Sequence, residues 1–274
     1  MANRKRPMSY TKLARFYDAV IGDRRDTATY ICDLIHRYNP KTRTVLEIAC
    51  GTGAVLGLLS QAYEVTGLDR SRNMLAIARR KLPHVKLYLQ DITSFHLNQR
   101  FDAIICVFDS INHLPRFSDW QKVFRGVKAH LSDGGLFIFD VNTPGRLHRL
   151  SHSPPWATAF GRNWQILTIT KGRDSIYNWH VRVLEHRRGN HYQLHAETIP
   201  ELAVPMKDLM NWAVRTPRVG KIELLVRASK EPAIRLYTKL GFVEEGRFKN
   251  RISLPDGKYV DDIAMAWFPR RTTS

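Results

Sequence analysis

Three short strand-like runs near the start of this chain each carry an acid at or close to the carboxyl end, and the first opens into a glycine loop. Thr44-Val-Leu-Glu-Ile-Ala-Cys50 reads as a strand buried on both faces, followed by Gly51-Thr-Gly53 and an apolar helix over 54–61. Glu64-Val-Thr-Gly-Leu-Asp69 is a second strand, 71–81 a helix and 85–90 a third strand, with Asp91 directly after it. Strands alternating with helices specify a parallel sheet, and such sheets bind ligands at the carboxyl ends of their strands. Small residues at 49–53 let backbone approach a ligand, and the helix start offers unpaired N–H groups. Glu47, Asp69 and Asp91 therefore converge on one crevice, where Asp69 suits ribose hydroxyls and Asp91 an adenine amino group. The loop departs from the G-x-G-x-x-G dinucleotide form, because Gly53 is followed by Ala54, Val55 and Leu56.

Helices are expected over 11–21 and 26–38. Residues 101–108 form an almost wholly apolar, central fourth strand. Helix 118–131 is expected to stop at Asp133-Gly134-Gly135, before a fifth strand over 136–142. The pattern then changes. From about 163 to 199 apolar and polar residues alternate, and turns at 171–174 and 187–190 separate three antiparallel strands. They read as a cap over the strand ends. A third regime, 204–268, reads helix, strand (221–228), helix (232–240) and a hairpin turning at Pro255-Asp256-Gly257.

A hydrophobic content of 43% supports a real core. No apolar run approaches the ~20 residues needed to cross a bilayer, so no membrane partner is expected. The basic start, Met1 to Pro7, lacks an apolar signal core, which places the chain in the cytoplasm. Its three cysteines, Cys32, Cys50 and Cys106, show no metal-ligand spacing and read as reduced thiols. A net charge of +18, spread along the chain, leaves nucleic acid open as a partner. Such a charge also occurs in proteins that bind no nucleic acid, and nucleic acid is not the favoured partner.

Val45-Leu-Glu-Ile-Ala-Cys-Gly-Thr-Gly53, Val65-Thr-Gly-Leu-Asp-Arg-Ser71 with Met74-Leu-Ala-Ile-Ala78, and Gln90-Asp91 resemble the successive motifs of class I S-adenosylmethionine (SAM)-dependent methyltransferases. The runs 101–114 and 134–144 extend the likeness, as does Ala14-Arg-Phe-Tyr-Asp18, which resembles the N-terminal helix of small-molecule members with a β cap. The resemblance covers about residues 8–210. It implies a seven-stranded methyltransferase sheet with SAM over the loop at 49–53. Glu47, Ala49, Gly51 and Gly53 would face the methionine part, Asp69 the ribose, and Arg70 and Met74 the adenosine flanks. Asp91 and Ile92 would meet the adenine, Tyr10 and Tyr17 would close over the sulfonium, and Val107 belongs to the same cofactor set. Methyl transfer needs alignment and desolvation more than a metal, and no metal is expected. Asp109 and His113, just after the fourth strand, lie where a base would act; helix capping and packing are their bland alternatives. Among His180, His186, His191 and His195, alternation could place some over the pocket.

Residues 219–268 resemble the C-terminal half of GCN5-related N-acetyltransferases (GNAT), through Glu231-Pro-Ala-Ile-Arg-Leu-Tyr-Thr-Lys-Leu-Gly-Phe242 and Tyr259-Val-Asp-Asp-Ile-Ala-Met265. In that family a tyrosine matching Tyr237 often protonates the coenzyme A thiolate. Lys230 stands where Asn is usual, and Glu201-Leu-Ala-Val-Pro205 offers no glycine nest for a diphosphate. The tail is therefore expected to bind acetyl-CoA poorly or not at all, and its strands to fill the two sheet positions that follow the fifth strand. The expected architecture is α/β: a Rossmann-like methyltransferase sheet with an antiparallel cap over 1–203 (cap 151–203), then a GNAT-like α+β half-domain over 204–274. The expected activity is methyl transfer from SAM to a small-molecule acceptor. Alternatives are an acyl-CoA-binding protein or N-acetyltransferase through the tail, and an RNA methyltransferase or non-catalytic SAM-binding module.

Overall fold

A computed structural model describes residues 10, 12–216, 219–253 and 258–269. The basic start at 1–7 and the turn expected at 255–257 lie outside the described residues. The chain divides into two compact units between Ala203 and Val204.

The first unit is built on β1 (Thr44–Ile48), β2 (Glu64–Asp69), β3 (Lys86–Leu89), β4 (Phe101–Cys106) and β5 (Leu131–Phe139). All pair in parallel, in the order β3-β2-β1-β4-β5. The chain winds outward from β1 through β3, then crosses to β4 and winds the other way. That reversal opens a crevice beyond the carboxyl ends of β1 and β4. The central strands are apolar on both faces because helices cover both; Val45, Leu46, Ile48, Ala103, Ile104 and Ile105 are fully buried. Helix α2 (Arg25–Tyr38) presents Ala28, Ile31 and Ile35 at helical spacing, and these pack with Val55, Leu56 and Leu59 of α3 (Ala54–Leu59). A short α1 (Tyr17–Ile21) precedes them, and α4 (Arg72–Lys81) links β2 to β3.

Two expectations for this layer need correction. Among the described residues the parallel sheet has five strands, not seven. And α5 (Phe117–His130) runs directly into β5, whose Leu131 already pairs with Phe101. The register slips before Leu136 pairs with Ala103, and Gly134 has φ +74° there. Asp133-Gly134-Gly135 is thus an irregularity inside the strand rather than a helix stop.

After β5 and α6 (Pro144–Ser151) come β6 (Trp156–Phe160), β7 (Asn163–Lys171), β8 (Ile176–His186) and β9 (Tyr192–Leu202), an antiparallel sheet in chain order. The cap has four strands where three were expected. The extra strand, β6, is short and largely exposed, and turns into β7 at Gly161 (φ +57°). Val181, Val183 and Ile199 of the cap bury against Leu13 and Phe16 of the N-terminal segment.

The second unit holds α7 (Met206–Val214), β10 (Ile222–Arg227), α8 (Glu231–Lys239), β11 (Val243–Ser253) and β12 (Tyr259–Trp267). Its strands pair among themselves, antiparallel, in the order β10-β12-β11. They do not extend the parallel sheet, which overturns the expectation that they would. Their antiparallel register satisfies β12 on both edges within the unit, around a core of Met210, Val226, Phe242, Ile263 and Met265. No helix among the described residues is long and apolar enough to cross a membrane.

Candidate functional site

At the crevice, β1 ends in left-handed backbone, which glycine adopts cheaply and alanine only at a cost: Ala49, Gly51 and Gly53 have φ of +59°, +54° and +71°. A Cβ at Gly51 would meet nothing within 4 Å, so the loop faces open space there. Gly53 serves packing instead, since a Cβ would lie 2.8 Å from Leu82 Cδ1 on the neighbouring helix. Asp69, at the end of β2, fixes the loop. Its Oδ2 accepts from Gly51 N at 2.9 Å and its Oδ1 from Ser71 N at 2.7 Å. Both oxygens keep a lone pair for a ligand hydroxyl. Asp91 is oriented by Thr93, whose N and Oγ1 donate to Oδ1 at 2.9 and 2.7 Å, while Arg70 Nη1 lies 4.0 Å from Oδ2.

These residues line one cavity. Ala49, Gly51, Asp69, Arg70, Met74, Asp91 and Ile92 line it together with Tyr10, Tyr17 and His113, and Ser110 and Pro200 complete that lining with their neighbours. The Tyr10 and Tyr17 rings meet edge to face, 5.2 Å apart, and Tyr10 lies 6.0 Å from the His113 ring. The segment that carries them is tied down by Asp18. It accepts from the Thr52 hydroxyl of the loop and pairs with Lys81 Nζ at 2.7 Å. Of the remaining expected residues, Gly53, Val107, Glu47 and Asp109 do not line the cavity. Val107 is buried, and its carbonyl accepts from Ser110 Oγ at 2.7 Å.

Glu47 lies buried beneath the loop, and its Oε2 has no partner. Burial, reinforced by Asp69, pushes its carboxyl up to about 8. Burial also raises Asp69, against the pull of its two backbone N–H donors. Two buried acids without a cation between them leave room for positive charge in a ligand.

The turn after β4 forms the other end. Phe108 and Asp109 are left-handed (φ +58° and +48°), held by Asp109 N donating to Asp140 Oδ1 at 2.8 Å. Burial and then Glu201 raise Asp109 to about 7, and burial raises Asp140 to about 6. Glu201 was not legible as a site residue. It arrives from the last strand of the cap, its carboxyl hydrogen bonded to that of Asp109, and His113 Nε2 lies 3.6 Å from Glu201 Oε1. Burial lowers His113, which keeps its ring neutral and able to accept. The one available signal was an acid inside the apolar stretch Ile199-Pro-Glu-Leu-Ala-Val204. Asn112 and Asn142 carry no local sequence signal either; both are fully buried and join the turn to the cap. None of the cap histidines lines the cavity: His180 bridges Thr170 and Thr198, and His195 meets Glu185 at 2.8 Å.

Residues 45–135 match a family model described as a methyltransferase domain. The chain is 35% identical over 134 residues to a dTDP-3-amino-3,6-dideoxy-alpha-D-glucopyranose N,N-dimethyltransferase of Streptomyces fradiae, covering 47% of this chain and 52% of the relative. It is 33% identical over 132 residues to a dTDP-4-amino-2,3,4,6-tetradeoxy-D-glucose N,N-dimethyltransferase of Saccharopolyspora spinosa, covering 46% and 53%. The chain thus spans about half the length of the curated relatives it matches. Among solved structures, SAM-bound CalS10, an amino pentose methyltransferase from Micromonospora echinaspora, superposes with a TM-score of 0.67 at 19% identity, covering 96% of this chain and 99% of that one. The parallel layer and its cap have the Rossmann-like fold of SAM-dependent methyltransferases, and residues 45–135 are similar in sequence to a methyltransferase domain.

Proposed function

We propose that this protein moves a methyl group from SAM to a small-molecule acceptor. The observation that carries the proposal is the meeting, in one cavity, of a positive-φ loop facing open space with Asp69 and Asp91 at successive strand ends. The residues fit the donor. Asp69 would accept from the ribose hydroxyls, Asp91 and Ile92 would meet the adenine, and Arg70 and Met74 would flank the adenosine. The backbone of Ala49 and Gly51 would follow the methionine part, and the unpartnered Glu47 Oε2 beneath it favours a cationic ligand. Held by these residues, SAM would supply an electrophilic methyl carbon with a thioether as its leaving group. The chain's own work is orientation and exclusion of water, done by Tyr10, Tyr17 and the cap, with Asp109 and His113 on the acceptor side. The free, mostly buried cysteines accord with a cytoplasmic enzyme.

Calorimetric titration with S-adenosylhomocysteine, acetyl-CoA in parallel and Asp69→Ala as control, tests this. Micromolar affinity for the first ligand, at least tenfold weaker in Asp69→Ala, is expected. Acetyl-CoA binding without S-adenosylhomocysteine binding would overturn it.

We also read residues 204–274 as a separate domain resembling a GNAT C-terminal half. The strand order β10-β12-β11, with α8 between β10 and β11, supports that reading. Tyr237 packs against Phe242, ring centroids 5.8 Å apart, and burial alone raises its hydroxyl. That is a core tyrosine's setting, and no acetyl-CoA binding is expected of it.

A further inference from the structure

Asp109 and Glu201 reach the same point from different layers of the first unit. One sits in the turn after β4, the other at the end of β9. With His113 they bring three acceptor atoms within 4.8 Å of one another. Asn142 holds Glu201 from behind, its Nδ2 donating to Oε2 at 2.8 Å, while Oε1 turns toward His113 Nε2 at 3.6 Å. The same amide leaves its Oδ1 buried and without a donor. The cluster adjoins the cavity at His113, which lines it together with Ser110 and Pro200, the chain neighbours of Asp109 and Glu201; Asn142 and Trp179 are the side-chain donors to Glu201. The other charges the cluster feels are Arg146, Asp69, Arg70 and Asp140, with Tyr10 beside it.

A neutral hydroxyl would bring one donor and no charge to such a cluster. A primary ammonium brings three donors and a positive charge to two buried acids. Acceptors ~2.9 Å from a tetrahedral nitrogen stand about 4.7 Å apart, within the spread seen here.

We infer that Glu201 is the specificity-determining residue of the acceptor pocket, joining Asp109 and His113 to receive the acceptor's amine as an ammonium ion. The inference rests on reading the cavity as a methyltransferase site. Binding the cation expels to solvent the proton shared by the two carboxyls. The pair can then take a proton from the ammonium, freeing the nitrogen lone pair to form the N–C bond.

The test is calorimetry of methylammonium, with methanol as its neutral counterpart, into protein saturated with S-adenosylhomocysteine at pH 7, in two buffers of different ionisation heat. Saturable methylammonium binding with proton release is expected, with none for methanol. Glu201→Gln should weaken it at least tenfold and Glu201→Asp less, while both variants keep the wild-type circular dichroism and bind S-adenosylhomocysteine within threefold of wild type. Methylammonium binding that is absent, or equal in Glu201→Gln, while S-adenosylhomocysteine still binds, overturns the inference and leaves the methyltransferase reading standing. Micromolar Zn²⁺ or Mn²⁺ binding that Glu201→Gln abolishes and methylammonium does not displace would make the cluster a metal site and overturn it too. Failure of the wild type to bind S-adenosylhomocysteine would overturn both readings.

Discussion

Asn112 and Asn142 are joined by two hydrogen bonds: Asn112 Nδ2 donates to the Asn142 carbonyl at 3.0 Å, and Asn142 N donates to Asn112 Oδ1 at 3.0 Å. The same Nδ2 reaches the Leu202 carbonyl at 2.8 Å, so one buried amide fastens the turn after β4 to the end of β5 and to the cap. Asn112→Leu strands three backbone groups. A loss of roughly 2–4 kcal/mol is expected, read as a lower urea midpoint at unchanged slope.

Gly51 and Gly53 should separate binding from stability. Both are left-handed, so an alanine at either costs about 1 kcal/mol of strain. At Gly51 the new methyl enters open space above the loop, and S-adenosylhomocysteine affinity should fall at least tenfold. At Gly53 it collides with Leu82 Cδ1, and the larger effect should be on thermal stability, on the order of 1–3 kcal/mol in all. Calorimetry and melting of the two variants check this; equal affinities would refute it.

Glu47 predicts a pH dependence. Its carboxyl titrates near 8 in the folded protein and near the ordinary 4.5 when unfolded. Between those values the folded state holds the proton that the unfolded state has lost, so stability falls as pH rises through this window. Glu47→Gln removes that decline, of a few kcal/mol, and should be the more stable protein relative to wild type at pH 8.5 than at pH 5. At pH 8.5, where the Glu47 carboxyl has largely lost its proton, the variant should also bind SAM less tightly relative to S-adenosylhomocysteine, because the positive charge loses its counter-charge. Urea titrations at the two pH values, and both ligands by calorimetry, decide it.

Phe242 tests the second unit by itself. It is about 1% exposed, between Tyr237 and Trp267. Phe242→Ala should cost roughly 3–5 kcal/mol there. S-adenosylhomocysteine affinity at low temperature should be unchanged. A parallel loss of affinity would show that the two units do not behave separately.

What could be read from the residues was what local pattern encodes. The order of β1 to β5 with their helices, and the acids at their ends, follow from periodicity over a few residues each. The misreadings have local causes too. Asp133-Gly134-Gly135 has the composition of a helix stop, yet α5 had already ended and β4 supplied a partner for Leu131. Strand β6, Trp156-Ala-Thr-Ala-Phe160, is short and exposed along nearly its whole length, so alternation barely marks it. The fate of the tail's strands depended on whether they would pair with β5 or with each other, and no short window holds that choice. Glu201 is the clearest case: its meaning depends on Asp109 and His113, far back along the chain, and on Asn142 turning it toward them.

The cap enters the cavity through the last residues of β9, while the groups expected to hold the donor all come from the N-terminal segment and the parallel layer. On the inference that Glu201 selects the acceptor, part of that choice is written in the cap, apart from the groups expected to grip the donor. A lineage could exchange the β8–β9 hairpin as a cassette and try new acceptors while inheriting an unaltered methyl supply.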